Sequence, residues 1–326
     1  MKYSIVIPVY NSDSFITRTL DSLKKQKYRD FEIIIVNDGS TDNSEDVILT
    51  YAKQNSDLLI KYKKIINSGP STARNEGLKM ATGDYVCFRD SDDCYEEDLF
   101  LKLSSIDEDY DICYFGWTEI NEDGKECFRY ESTFKYLSFD SGEDAFKSKF
   151  NHTIWLCNCN EVYKTSMLKD NGINYLENIY SGEDSNFIYK AILASKKIIF
   201  LEGNYFVNYI RTKSLSHSSF SSKAYSEFAS LIDLREYVSK HADSSFSEMV
   251  DRLFYIARVS VAKRIINSLR FYNLFRFLSK TRKEMPKFKA SRRFLTKKEK
   301  IENTLYVFFR PLFFYIVKFH YWRIGK

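Results

Sequence analysis

The sequence predicts an α/β protein with a central, mostly parallel sheet flanked by helices and a helical extension at the C-terminal end. Three observations carry this. Strand-like runs that are apolar on both faces, such as YSIVIPV and FEIIIV, alternate with amphipathic stretches, the pattern of a parallel sheet covered on both sides. Polar clusters follow those runs instead of interrupting them. In the last third, residues 221–240, 245–270 and 297–320 repeat Leu, Ile, Phe and Tyr at helical spacing.

Taken in order, Tyr3–Val9 is a near-continuous β-branched run and reads as the first strand. Asn11–Asp13 supplies a helix cap, after which Phe15, Ile16, Leu20 and Leu23 recur on one face. Phe31–Val36 is the second strand, with Ser40 or Thr41 capping a helix that continues to about Lys53. Leu58–Ile66 gives a third strand, Ser71–Met80 a helix, and Asp84–Phe88 a fourth strand that runs into FRDSDD. Farther on, SGEDSNFIY turns at Gly182 and starts a helix at Glu183 that reaches about Ala194.

Composition bounds the function. A chain of 326 residues that is 44% hydrophobic and 17% aromatic has enough apolar material for one large core and a smaller satellite. Residues 280–326 hold 14 Lys and Arg against 3 Asp and Glu, so the preceding residues carry 35 basic against 41 acidic side chains. A weakly acidic body with a basic tail does not match a nucleic-acid binder, which shows a basic face. The six cysteines lack CxxC spacing, and no charged-then-apolar leader precedes Tyr3, so the expectation is reduced thiols in the cytoplasm. The longest apolar stretch, 304–322, is broken by Arg310, Pro311 and Lys318, too early for a membrane span of about 18 residues.

Ligands of parallel sheets bind beyond the carboxyl ends of the strands. Three polar clusters fall there: Pro8-Val9-Tyr10-Asn11, Asn37-Asp38-Gly39-Ser40 and Arg89-Asp90-Ser91-Asp92-Asp93. They predict one site. Asp90 and Asp92, two apart on an extended segment, point to the same side, and neighbouring carboxylates repel unless a cation or donors separate them. One or two carboxylates plus substrate phosphates form the usual setting for Mg²⁺ or Mn²⁺. Neither GxxxxGK nor GxGxxG occurs to cradle phosphate instead. Singly, each residue has a plainer reading: Asp38 as a turn residue, Arg74 as surface, Asp90 and Asp92 as caps, Glu183 and Asp184 as dipole partners of a helix N-terminus. Their joint placement at adjacent strand ends favours the site.

YSIVIPVYN, FEIIIVNDGSTDNS, GPSTARNEGLKMATGDYVCFRDSDD and SGEDSNF resemble the successive motifs of glycosyltransferase family 2, whose members have the GT-A fold. The resemblance covers roughly residues 1–215 and implies a transferase domain over 1–218, followed by a helical region over 219–326. It implies that Pro8, Val9 and Tyr10 pack around the nucleotide base, that Asp38 accepts from it and that Arg74 contacts it. Asp90 would face the ribose with Ser91 beside it on the donor, and Asp92 would hold the Mn²⁺ or Mg²⁺ that bridges the diphosphate. Asp184 would be the general base, with Glu183 orienting the acceptor or the loop. In VNYIRTKSLSHSSF, Arg211 and Lys213 would reach phosphate and His217 would be a third metal ligand, against the plainer reading of a solvated histidine. Trp155 reads either as an acceptor-stacking ring or as core.

A uracil presents an N–H donor between carbonyl acceptors, which a carboxylate and a guanidinium complement, so UDP is the expected nucleotide. The reaction implied is a single displacement that inverts the anomeric centre, transferring a hexose or N-acetylhexosamine to a glycan acceptor on a lipid carrier or glycoprotein. Two other classes compete. A sugar-1-phosphate nucleotidyltransferase needs a glycine-rich loop near its N-terminus, which IVIPVYNSD is not. A silent sugar-nucleotide-binding protein does not require the DxD and ED motifs together. Two readings of the basic, aromatic tail stand side by side: contact with the inner face of the cell membrane, and a protomer contact in a homo-oligomer.

Overall fold

The computed structural model describes residues 2–210 and 226–267. Arg211, Lys213 and His217, the predicted helix over 297–320 and the basic tail lie outside them. The elements in chain order are β1 Tyr3–Val9, α1 Ile16–Lys24, β2 Phe31–Asn37, α2 Ser44–Gln54, β3 Ile60–Lys64, α3 Pro70–Met80, β4 Tyr85–Phe88, β5 Cys94–Tyr95 and α4 Leu99–Ser104. After them come β6 Ile112–Ile120, β7 Glu126–Arg129, α5 Gly142–Phe150, β8 Glu161–Lys164, α6 Thr165–Asp170, α7 Glu183–Ala194, β9 Ile198–Tyr209, α8 Ser226–His241 and α9 Ser244–Asn267.

One nine-stranded sheet runs β3-β2-β1-β4-β8-β6-β9-β5, with β7 paired to β6. Strands β3, β2, β1 and β4 are mutually parallel, β8 is reversed between β4 and β6, and β6 and β9 are parallel again. This is the α/β architecture expected, a mostly parallel sheet with a reversed strand at its centre. Every residue of β1 and β2 is buried, so both faces carry helices, as apolar parallel strands require. α3 lies against β1 so closely that a Cβ on Gly77 would meet Val6 Cγ1 at 2.2 Å. Only glycine permits that approach.

The register aligns the strand ends that matter. Val9 pairs with Asn37 and Asn37 with Lys64, while Val6 pairs with Phe88, so the chain leaving β4 emerges beside β1. At the opposite end, the buried Glu32 accepts from Ser4 Oγ at 2.6 Å and from the Thr82 backbone N–H at 2.7 Å, and pairs with Lys61 at 2.6 Å. That cluster ties β1, β2 and β3 to the α3–β4 turn.

Two helix starts differ from the sequence reading. Asn11 adopts a left-handed φ of 49° and its side chain accepts from the Thr41 backbone N–H at 2.8 Å, so it ties two loops together and α1 begins only at Ile16. Likewise α2 begins at Ser44, whose N–H is taken by Asp42 at 3.0 Å, not at Ser40 or Thr41.

The described chain divides into two compact units: residues 2–179 with 183–210, and Tyr180–Gly182 with residues 226–267. The second packs α8 on α9 through Phe228, Leu231, Leu234, Phe246, Val250 and Phe254, with Arg235 paired to Asp251 at 2.6 Å. All six cysteines are unpaired. No helix among the described residues is long and apolar enough to cross a membrane.

Candidate active site

The parallel strands deliver their polar ends to one edge. At the end of β1, Pro8 and Val9 are buried strand residues, and Tyr10, just beyond it, is 51% exposed. After β2, Gly39 takes a φ of 68°, turning the chain so that Asp38 faces the loop before α3. Asp38 Oδ1 accepts from Ser68 N–H at 2.7 Å and Oδ2 from Gly69 N–H at 2.9 Å. Each oxygen keeps one further acceptor position. Asp38 thus does the work of a turn residue, and it is 3% exposed.

Arg74 is the centre of the arrangement. It sits in the second turn of α3 and is 4% exposed, not at the surface. Its Nη2 donates to Asp90 Oδ1 at 2.8 Å and its Nη1 to Asp184 Oδ1 at 3.2 Å. Asn158, with its amide oxygen turned toward the guanidinium, accepts from Nη2 and Nε at 3.0 Å each, and its amide nitrogen then reaches the Tyr175 hydroxyl. Burial works against the Arg74 charge, and Asp184 and Asp90 more than offset it, raising its pKa. The fold thereby joins two motifs 94 positions apart, Asp90 and Asp184, through one buried cation.

The ED motif opens α7. Burial pushes the Asp184 carboxyl up, opposed by Arg74, while Glu183 is pushed up to about 7 by burial and by its neighbour Asp184. Asp184 remains 40% exposed, open to a substrate.

The DSDD segment is not extended. Ser91 and Asp92 form a turn, so the alternation that would put Asp90 and Asp92 on one side does not apply. Ser91 Oγ lies 2.7 Å from Ser12 Oγ, and the Asp92 carbonyl accepts from Arg18 at 2.5 Å. Arg18 in turn lies 3.7 Å over the Tyr209 ring, and Tyr209 N–H donates to Asp93 at 3.2 Å. Ligand-capable atoms of Asp90, Asp93 and Cys159 lie within 4.8 Å of one another. Asp93 is 6% exposed, and burial, with Asp90 second, pushes its carboxyl up to about 7. Burial also raises the Cys159 thiol, leaving a protonated sulfur where a hard cation prefers oxygen. The closely set carboxylates of Asp90 and Asp93 are a donor pair that suits Mg²⁺ or Mn²⁺.

Trp155 packs on Phe134 with ring centroids 5.8 Å apart and on His152 at 5.4 Å, with Lys149 Nζ 4.4 Å over the ring. Its ring is part of the protein's own packing. A groove of about 600 Å³ opens between β6, β7 and β9, lined in part by Thr118, Glu131, Asn204 and Val207. None of the predicted site residues among the described ones lines it.

Asn158 and Arg18 carry no motif of their own. They meet the site only through tertiary packing, whereas Asp93 was within reach of the sequence as the third acid of DSDD.

Residues 4–172 match the sequence profile described as glycosyl transferase family 2. A poly(ribitol-phosphate) beta-glucosyltransferase of Bacillus spizizenii is 36% identical over 202 residues, 61% of this chain and 30% of that protein. TarS of Staphylococcus aureus, a poly(ribitol-phosphate) beta-N-acetylglucosaminyltransferase, is 29% identical over 273 residues, 80% of this chain and 45% of that protein. The chain therefore spans less than half the length of these curated relatives. The crystal structure of TarS 1-349 in complex with UDP-GlcNAc superposes with a TM-score of 0.65 at 26% identity, covering 82% of this chain and 73% of that one. A Pyrobaculum calidifontis mannosyltransferase in complex with GDP-Man and Mn²⁺ shares the fold, with a TM-score of 0.52 at 15% identity over 98% of this chain and 86% of that one.

Proposed function

The chain belongs to glycosyl transferase family 2, and from that premise we propose that it moves a hexose or N-acetylhexosamine from a UDP-sugar to an acceptor hydroxyl of a growing cell-surface glycan, with inversion. The observation that carries this reading is the buried Arg74 bridge between Asp90 and Asp184, which sets a donor-side carboxylate and a candidate base at one strand edge. The likeness to TarS, solved with UDP-GlcNAc, supports a UDP-sugar donor. The names of the relatives, both acting on poly(ribitol-phosphate), support a polymeric acceptor.

In this scheme the acceptor oxygen attacks the anomeric carbon and its proton passes to Asp184. The bond from that carbon to the diphosphate oxygen breaks, and its electron pair leaves with UDP. Arg74 keeps Asp184 oriented and charged until the proton arrives. Asp38 and the half-exposed Tyr10 frame the base, and Ser91 lies beside Asp90 on the donor side. The Asp90–Asp93 turn, with Asp92 among the ligands, would hold a divalent cation, which would supply positive charge against the diphosphate. Glu183 sits next to the base to orient the acceptor. Transfer is assigned to residues 1–218, and the helical region 219–326 to oligomer contacts or to the membrane surface where lipid-linked acceptors lie.

UDP release from a panel of UDP-hexoses and UDP-N-acetylhexosamines, with Mn²⁺ and with EDTA, tests this. Release from one or a few donors that stops in EDTA is expected. No release from any donor, with any acceptor or water, sinks the transferase reading; release unaffected by EDTA sinks its metal.

A further inference from the structure

The turn after β4 is gripped by one helix. Thr19, in the middle of α1, donates its hydroxyl to two main-chain carbonyls of that turn, Ser91 at 2.9 Å and Asp93 at 3.0 Å. Its neighbour Arg18 donates from Nη2 to the carbonyl between them, that of Asp92, at 2.5 Å. Every carbonyl from Ser91 to Asp93 is therefore taken by a side chain of α1. The Arg18 guanidinium also lies 3.7 Å over the ring of Tyr209, whose own N–H donates to Asp93 Oδ1 at 3.2 Å. Arg18 thus ties α1 both to the turn and to the last residue of β9, the strand end that holds the Asp93 side chain.

The helix itself needs neither donor. α1 buries Ile16, Thr19, Leu20 and Leu23, and Thr19, 0% exposed, is the one polar residue of that set. A valine has the same shape and no hydroxyl to desolvate. Arg18 is exposed and could extend into water instead. Both side chains are explained by what they hold, a segment with three acids in four residues, DSDD. There Asp90 and Asp93, with Cys159, bring ligand-capable atoms within 4.8 Å of one another. Like charges at that spacing repel, so the turn needs a hold from outside.

We propose that Arg18 and Thr19 are positioning residues for the divalent cation. By locking the main chain of the Asp90–Asp93 turn from α1, they hold its carboxylates in place beforehand, so that metal binding does not have to order the turn. The hydrogen bonds stand on their own; their consequence rests on the metal that the transferase reading puts at this turn. Support of this kind around metal-binding side chains is worth about 10–100-fold in affinity. For Arg18 the sign of the effect is distinctive. As a bare charge it repels a cation, and its removal would tighten metal binding; as a clamp, its removal loosens it.

The test measures UDP affinity of the full-length protein by calorimetry in EDTA and across a Mn²⁺ titration, which gives the Mn²⁺ concentration at half the enhancement. In the wild type Mn²⁺ should tighten UDP binding. Thr19→Val, which keeps the shape and removes the donor, should raise that midpoint about tenfold and leave the affinity in EDTA unchanged. Thr19→Ser, which keeps a hydroxyl, should stay within about twofold of wild type. Arg18→Met should raise the midpoint as well. If Thr19→Val does not fold, Arg18→Met, at an exposed position, decides alone. A midpoint unmoved or lowered in either folded variant overturns the proposal. So does a fall of UDP affinity in EDTA as large as the fall in Mn²⁺, which would mean that the two residues serve only the fold. Absence of any Mn²⁺ enhancement in the wild type is a different failure: it removes the metal itself, and the clamp with it.

Discussion

Replacing Arg74 by Gln removes the charge that lies 2.8 Å from Asp90 and 3.2 Å from Asp184. Unit charges near that separation interact by about 1 kcal/mol in water and about 4 kcal/mol at an effective dielectric of about 20. Asp184 is 40% exposed, so solvent screens the pair and the lower part of that range applies, about 1–2 kcal/mol. At roughly 1.4 kcal/mol per pH unit, the Asp184 carboxyl should rise by about one unit. A base must be ionised to accept a proton, so the acid limb of the kcat profile should move up by about one unit: turnover falls about tenfold on that limb and recovers at higher pH. Arg74→Lys keeps the charge and should move the limb less, while losing the two-pronged geometry. UDP release measured across pH at saturating donor reads both. The sequence reading placed Arg74 against the nucleotide base; a raised donor KM with an unmoved acid limb would vindicate that placement and refute the electrostatic argument.

Other outcomes follow from the same geometry. Glu32 is held down to about 2 against burial by its pairing with Lys61 and hydrogen bonds from Ser4 and Thr82, so its folded pKa lies below the unfolded value of about 4.3. It stabilises the fold above pH ~4.3, and that contribution is lost as pH falls through about 2. Glu32→Gln should cost up to about 3 kcal/mol at pH 7 and progressively less in acid, which urea unfolding at several pH values measures; an equal cost at pH 2.5 and 7 contradicts it. Gly77→Ala should destabilise by about 1–3 kcal/mol through overpacking on Val6, and Val6→Ala in the same chain should recover part of the lost Tm. No recovery would mean that the clash is relieved elsewhere.

Elements whose signal is local were legible in the sequence. β1 ends at Val9 as expected because a run of apolar residues interrupted only by Ser4 reads as a buried strand, and α7 starts at Glu183 because Gly182, with a φ of 82°, closes the turn before it. β3 is shorter than its apolar pattern: Ile65 N–H still bonds to Asn37 but Ile66 is 88% exposed, since apolar character does not require burial at a loop edge. The starts of α1 and α2 moved because Asn11 and Ser40 spend their side chains on each other's loops, Asn11 accepting from the Thr41 N–H and Ser40 from the Asn11 N–H, a choice made by tertiary contact. Between Asp93 and Gly182 no element was readable, and there the sheet reverses at β8 and supplies Asn158 and Glu161. The site was legible as a set of acids and an arginine at strand ends. Its wiring was not, because Arg74 and Asp184 are 110 residues apart, and no periodicity reports which buried cation meets which carboxylate.

The most direct test of the central claim compares wild type and Asp184→Asn for UDP-sugar binding by calorimetry and for sugar transfer in the same preparation. Donor affinity should persist within a few-fold while transfer falls by about 10²–10⁴. Wild-type turnover in Asp184→Asn would show that the carboxylate held by Arg74 is not where the acceptor's proton goes.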